Sequence, residues 1–182
     1  MSGLVSAERY LAAPDFHQYV GAGMKNVDFW RAGFRTASVH ADLVQRASRL
    51  ASPWHLLVLS EDWCGDAMST VPVLAKFAEV VPGMDLRILA RDENPDLIAS
   101  HLTSRTRSIP VVIALDGDFV ERGWWGPRPS ELHRWMRTDG LHLPKDERLR
   151  RTRLWYARDR GRTTIEETLA VLERGERRRN GT

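Results

Sequence analysis

The sequence predicts an α/β protein with a mixed central sheet. Three short apolar runs bounded by turn residues have the length of buried strands, at 54–60, 86–90 and 111–115. Segments with helical periodicity separate these runs, and a hairpin signal follows the third. This alternation of strands and helices is typical of α/β domains, so residues 54–138 are expected to form the central domain.

Residues 1–53 are expected to form a helical extension packed on that domain. Aromatic and aliphatic residues recur there at three-to-four spacing, and the stretch 39–50 has the pattern of an amphipathic helix. Pro53 marks the boundary before the first strand.

The first two strands of the central domain are each followed by a helical pattern. A helix is predicted from about 66 to 80, and Pro72 is expected to kink it because proline removes one backbone hydrogen bond. A shorter helix is predicted over 96–104.

The third strand is predicted to turn back on itself. Asp116 and Gly117 form a strong hairpin signal, and the returning strand is expected over 119–125. Ser130 follows a Pro-rich break and is expected to cap the last helix of the domain.

Residues 139–182 are expected to form a second helical extension. One helix is predicted over 146–158, and another from Thr164, which forms a capping box with Glu167. The stretch 145–182 has a net charge of +5, whereas the rest of the chain has −2. It lacks interleaved aromatic residues and known nucleic-acid motifs, so a solvated helix end is favoured over a nucleic-acid arm.

Composition restricts the class of protein. The 182 residues are 42% hydrophobic, enough for a core without disulfides, and one cysteine excludes an internal disulfide framework. We find neither a signal-peptide pattern nor an apolar run of the roughly 20 residues that a membrane helix needs. A soluble cytoplasmic protein without a membrane partner is expected.

The sole cysteine stands where the first strand ends and a helix begins. Unpaired N–H groups at a helix N-terminus stabilise a thiolate, so Cys64 is expected to be an exposed, reactive nucleophile. We expect it to react faster at neutral pH than an unstructured cysteine peptide. The opposing influence is negative charge from Glu61, Asp62 and Asp66. The alternative is a buried, inert cysteine.

The segment Trp63-Cys64-Gly65-Asp66-Ala67 resembles the active-site loop of thioredoxins, Trp-Cys-Gly-x-Cys, with Ala67 in place of the second cysteine. Further features follow in family order over about half of the chain: Pro72, Asp92-x-Asn94-Pro95, Arg107-x-Ile109-Pro110, Gly117 and Gly126. The sequences of residues 61–66 and of the tail segment 155–162 resemble those of a bacterial thioredoxin-like subfamily with this single-cysteine Cys-Gly-Asp-Ala loop. The resemblance implies a thioredoxin-like fold with extra helices at both termini.

The resemblance also implies a site. Cys64 would be the catalytic nucleophile, and Pro110 would be the cis-proline opposite it, although a trans-proline at the start of a strand is the alternative. The residues expected to bind substrate are Trp63, Gly65, Asp66, Ile109, Pro110, Trp125 and Gly126. We expect Trp63, Trp125 and Arg128 to line one aromatic rim, while Trp124 packs in the core.

Two departures from the family bear on the chemistry. Ala67 replaces the resolving cysteine, and Val58 replaces the buried acidic residue thought to assist proton transfer during resolution. Both losses affect the second half of the dithiol cycle.

Two functions therefore remain open. One is thiol–disulfide exchange through Cys64 alone, resolved by glutathione or another small thiol; the other is a redox-inactive protein-binding module or a thiol-based redox sensor. Arg107 and Arg128 either attract an anionic ligand or are solvated. No resident cofactor or metal site is expected, because the six histidines are widely spaced. The partner would be a protein disulfide, a protein thiol or a small thiol, and the oligomeric state stays open, a homodimer included.

Overall fold

A four-stranded mixed sheet forms the centre of the computed structural model, which describes residues 4–21, 23–51 and 53–181. Its strands lie in the order β2-β1-β3-β4. Their bounds are β1 Trp54–Ser60, β2 Met84–Ala90, β3 Val111–Asp116 and β4 Glu121–Trp125. β1 pairs in parallel with β2 and antiparallel with β3, and β3 pairs antiparallel with β4. The predicted α/β class with a mixed sheet is confirmed.

Helices precede, connect and follow the strands. Before the sheet come α1 Ala7–Ala12, α2 Phe16–Tyr19, α3 Val27–Thr36 and α4 Ala41–Ala47. Within the sheet region come α5 Gly65–Val80, α6 Pro95–Ser100 and α7 Ser130–Arg137. After it come a 3₁₀ turn Asp139–His142, α8 Lys145–Asp159 and α9 Arg162–Asn180.

The two middle strands are buried on both faces. This is why β1 and β3 read in the sequence as continuous apolar runs rather than as alternating ones. α5 packs on β2, α9 packs on β3 and β4, and these two helices also contact each other. The helix predicted over 66–80 is confirmed, because α5 spans Gly65–Val80 and continues through Pro72.

The N-terminal helices pack directly on this centre. α3 crosses α5 where Gly33 meets Pro72; a Cβ on Gly33 would lie 3.2 Å from the proline ring. The chain just before α2 runs along β2, where the backbone N–H of Ile88 donates to the carbonyl of Pro14 at 2.9 Å. The outer edge of β2 is thus partly covered, which limits pairing with other chains.

The two helix caps predicted for the C-terminal half are wrong. Thr164 is buried inside α9, which begins two residues earlier after Gly161, so it forms no capping box with Glu167. Ser130 is the first residue of α7, and its hydroxyl donates to Glu167 at 2.5 Å instead of capping the helix. At Ser130 a hydrogen bond to α9 replaces the local cap, and at Thr164 the earlier start of α9 buries the residue within the helix.

The end of one helix and the start of one strand also differ from the prediction. The helix predicted over 96–104 ends at Ser100. The returning strand begins at Glu121 because Phe119 has a positive φ of 59°, outside strand geometry. Asp116 stabilises the longer hairpin loop, since its Oδ1 accepts from the N–H groups of Asp118 and Val120, both at 3.0 Å.

Gly126, at the end of β4, has no room for a side chain. Its φ is +133°, and a Cβ there would lie 2.1 Å from the carbonyl oxygen of Pro110. We expect Gly126→Ala to lower the free energy of unfolding by about 2–4 kcal/mol, since the backbone of either segment must shift. Denaturant unfolding measures this.

Gly65→Ala is the matched control. No atom lies within 4 Å of a Cβ built on Gly65, which is the first residue of α5. We expect a change within about 0.5 kcal/mol for this variant. An unfolding midpoint of Gly126→Ala equal to that of the wild type would contradict the close approach of these two segments.

Candidate active site

Cys64 occupies the N-cap of α5. β1 ends at Ser60, a short turn follows, and the Cys64 backbone is extended, with φ −81° and ψ 117°, before the helix begins. Its carbonyl accepts the N–H of Met68 at 2.9 Å, the first hydrogen bond of the helix. The sequence placed the thiol at this helix start, and the structure agrees.

The sulfur faces the segment before Pro110. Cys64 Sγ donates to the carbonyl of Ile109 at 3.5 Å, and the Ile109–Pro110 peptide bond is cis, as the family resemblance implied. Gly126 contacts the same proline from the other side. Four residues of the predicted site, Cys64, Ile109, Pro110 and Gly126, are therefore brought together.

The expectation that Cys64 is exposed is wrong. The residue is only 9% exposed. Burial raises the pKa of the Cys64 thiol above its ordinary value, and the charge of Asp66 adds to that rise. Backbone N–H groups of Ala67 and Asp66 and the guanidinium of Arg128 act in the opposite direction but do not cancel it.

Two of the three acids near the thiol bind backbone groups. Glu61 Oε1 accepts the N–H of Asp92 at 2.9 Å, which joins the thiol loop to the loop after β2. Asp62 Oδ2 accepts the N–H of Lys25 at 2.8 Å, and the Asp62 carbonyl accepts the indole N–H of Trp30 at 3.2 Å. These carboxylates hold the loop in place.

The third acid, Asp66, forms an ion pair with Arg128. Arg128 Nε donates to Asp66 Oδ2 at 3.0 Å, and its Nη2 donates to the same oxygen. The hydroxyl of Tyr156 donates to Asp66 Oδ1 at 2.8 Å. Of the two alternatives left open for Arg128, solvation is wrong, and its guanidinium is engaged by a carboxylate of the same chain.

The exposed side of the site is formed by Trp63, which is 49% exposed. The guanidinium of Arg91 lies 5.2 Å from the centre of its ring and also donates to the carbonyl of Arg107 at 3.2 Å. Arg107 itself is exposed. Trp63 and the guanidinium of Arg91 therefore lie together beside the residue that carries the thiol.

The predicted aromatic rim is wrong for Trp125. This residue is 7% exposed, and its indole N–H donates to Glu167 of α9 at 2.8 Å. Trp124 is partly buried against the core, as expected. Trp63 and Trp125 therefore do not share an exposed surface.

Sequence reasoning missed the role of Tyr156. The segment 155–162 was singled out by resemblance, but nothing in it indicated contact with a residue 90 positions earlier. The available signal was the adjacent aromatic pair Trp155 and Tyr156 within a strongly charged helix, which favours a contact with the rest of the protein at that point.

Other site types find no support in the described part of the chain. Within the ranges that the structure describes, no group of three histidine, cysteine or acidic side chains could hold a metal ion, and no helix is long and apolar enough to cross a bilayer. Two depressions of about 450 Å³ lie between β4, α7 and α9 and between α7 and α8. Neither is lined by Cys64.

The burial of Cys64 changes the expected reactivity. We predict that wild-type protein reacts with iodoacetamide more slowly at neutral pH than an unstructured cysteine peptide, because a raised pKa leaves less thiolate. Asp66→Asn should accelerate the reaction by removing the nearest negative charge. The same change should lower the free energy of unfolding by about 1–3 kcal/mol, because Arg128 loses its partner in a mostly buried position.

Glu61→Gln is the control for that experiment. Its carboxylate is three residues from Cys64, against two for Asp66, but it binds the N–H of Asp92, which an amide oxygen can also accept. We expect its alkylation rate to equal that of the wild type. Equal acceleration by both substitutions would mean that general charge, not the position of Asp66, controls the thiol.

Comparison with known proteins identifies the fold and the family. Two solved structures are similar over 93% of this chain and 98% of their own. One is a protein of unknown function from Pseudomonas aeruginosa, with a TM-score of 0.73 and 23% identity; the other is an HIV epitope-scaffold, with a TM-score of 0.70 and 22% identity. At these identities the likeness concerns the fold alone. The comparison with curated proteins finds no match. A family model described as thioredoxin matches residues 13–147, and the chain therefore belongs to the thioredoxin family.

Proposed function

We propose that this thioredoxin-fold protein carries out thiol–disulfide exchange through one cysteine. The observation that carries the proposal is the placement of Cys64 Sγ 3.5 Å from the carbonyl of Ile109, next to Pro110 and at a helix N-terminus. A disulfide that approached this sulfur would meet the exposed Trp63 and the backbone before Pro110.

The exchange proceeds in two steps. The Cys64 thiolate attacks one sulfur of a disulfide, forms a mixed disulfide with it and releases the other sulfur as a thiolate. An external thiolate, from glutathione or another small thiol, then attacks the sulfur that is bonded to Cys64, forms a disulfide with that group and returns Cys64 as a thiolate. With a glutathionylated peptide, the peptide leaves as a thiol in the first step and oxidised glutathione leaves in the second. The external thiol is needed because Ala67 has no sulfur.

Turnover of a glutathionylated peptide tests this proposal. We expect deglutathionylation that requires added glutathione, disappears in Cys64→Ser and does not occur with thioredoxin reductase as the only reductant. Cys64→Ser is nearly isosteric, so a loss of fold is not expected to confuse the result. Activity of Cys64→Ser equal to that of the wild type would overturn the proposal.

Restoring the second thiol gives an independent test. Ala67 is buried in the first turn of α5, and its N–H already faces the Cys64 sulfur. Ala67→Cys should therefore allow an internal disulfide and raise glutathione-independent turnover several-fold, with Val58 limiting the gain because it cannot assist proton transfer. Ala67→Ser is the control and should gain nothing.

The burial of Cys64 favours a second candidate, a redox-inactive binding module. A raised pKa opposes the attacking thiolate, while Trp63 remains available on the surface. Partner capture by wild type and Cys64→Ser distinguishes the two functions. Partners held only by wild type, and released by reductant, support exchange. Partners held equally by both proteins support the binding module.

A further inference from the structure

Helix α8 reaches the neighbourhood of Cys64 through one side chain. The structure describes α8 throughout, and Tyr156 is its buried residue, 9% exposed, whereas the others are exposed or half-buried. The Tyr156 hydroxyl donates to Asp66 Oδ1 at 2.8 Å. The buried side chain of this helix thus contacts a carboxylate two residues from the thiol.

The contact joins three separate segments. Asp66 lies in the first turn of α5, Arg128 lies between β4 and α7, and Tyr156 lies in α8. The side chains of Asp66 and Arg128 are 13% and 19% exposed. Because water is largely excluded, their charges act on neighbouring groups more strongly than surface charges do.

We propose that Tyr156 is a positioning residue for Cys64: its hydrogen bond holds the Asp66 carboxylate on Arg128, so that the negative charge stays compensated beside the thiol. The inference rests on the proposed function, because it concerns the same thiol. It adds that the C-terminal region, outside the central domain, sets the reactivity of that thiol.

The remaining charged groups near Cys64 are held by other partners. The carboxylates of Glu61 and Asp62 accept the backbone N–H groups of Asp92 and Lys25. Cys64 interacts electrostatically with Asp66, Arg128, Tyr156, Tyr19 and Arg91. Burial raises the pKa of Tyr19 to about 12 and also raises that of Tyr156, so both phenols are uncharged at neutral pH. Arg91 is engaged by Asp92 at 2.8 Å. The charge balance at the sulfur therefore depends on how Asp66 and Arg128 are held.

The test is the pH dependence of alkylation by iodoacetamide. For Tyr156→Phe we expect the midpoint to move up by about half a pH unit, which slows alkylation at neutral pH about three-fold, since one pKa unit is a tenfold change. The plateau rate at high pH should stay unchanged. Thr152→Val removes another α8 hydroxyl, one that contacts Met136 and not Asp66, and should leave the midpoint unchanged.

Repeating the Tyr156→Phe measurement in the Asp66→Asn variant shows whether Tyr156 positions the carboxylate or only anchors α8. In Asp66→Asn the amide carries no charge, so adding Tyr156→Phe should leave the midpoint unmoved. If Tyr156 only anchors α8, the substitution would change both backgrounds equally or raise the plateau rate by exposing the sulfur. Either result, or an unchanged midpoint in Tyr156→Phe, overturns the proposal.

Arg128→Lys supplies a further measurement. Lysine keeps the charge but loses the two-donor fork that binds Asp66, so the midpoint should move in the same direction as for Tyr156→Phe. An unmoved midpoint counts against the proposal. Iodoacetamide requires no disulfide substrate, so a failure of thiol–disulfide exchange and a failure of this inference remain distinguishable.

Discussion

The ion pair between Asp66 and Arg128 joins the start of α5 to the segment after β4, and Tyr156 adds α8 to the same point. Carboxylates in mostly buried positions need partners, because removing a charge from water costs several kcal/mol unless it is paired. Here the partners come from parts of the chain far apart in sequence. The geometry around Cys64 therefore depends on segments on both sides of the sheet region.

The N-terminal part of the chain also contacts the loop that carries Cys64. Trp30 and the backbone of Lys25 bind the residue two positions before the thiol, and the loop after β2 binds Glu61. Each acid beside Cys64 thus has a structural function. In the sequence these acids oppose thiolate formation, and in the structure they also hold the loop between β1 and α5 in place. The terminal helices belong to the site as much as to the surface of the fold.

The sequence predicts the elements better than their contacts. Apolar runs identify β1 and β3, and the ordered motifs place Cys64 opposite Pro110, because both depend on local pattern and chain order. Trp125 is buried with its indole N–H on Glu167 of α9, and Cys64 is buried with its sulfur against the segment before Pro110; no local pattern encodes either contact. The failed cap at Thr164 has the same cause: packing of α9 placed the helix start earlier than the local hydrogen-bonding signal did.

The residues present at positions 58, 64 and 67 together affect how long a mixed disulfide at Cys64 would last. Cys64 lies beside Pro110, whereas Ala67 has no sulfur and Val58 has no carboxyl group, so the proposed exchange has no internal means of resolution. A thiol with a raised pKa is also a poor leaving group, so attack on the substrate sulfur of a mixed disulfide is slow. Attack on the Cys64 sulfur itself is hindered by burial. A mixed disulfide at this site, once formed, is therefore expected to be long-lived, which brings covalent exchange and partner binding close together in one mechanism.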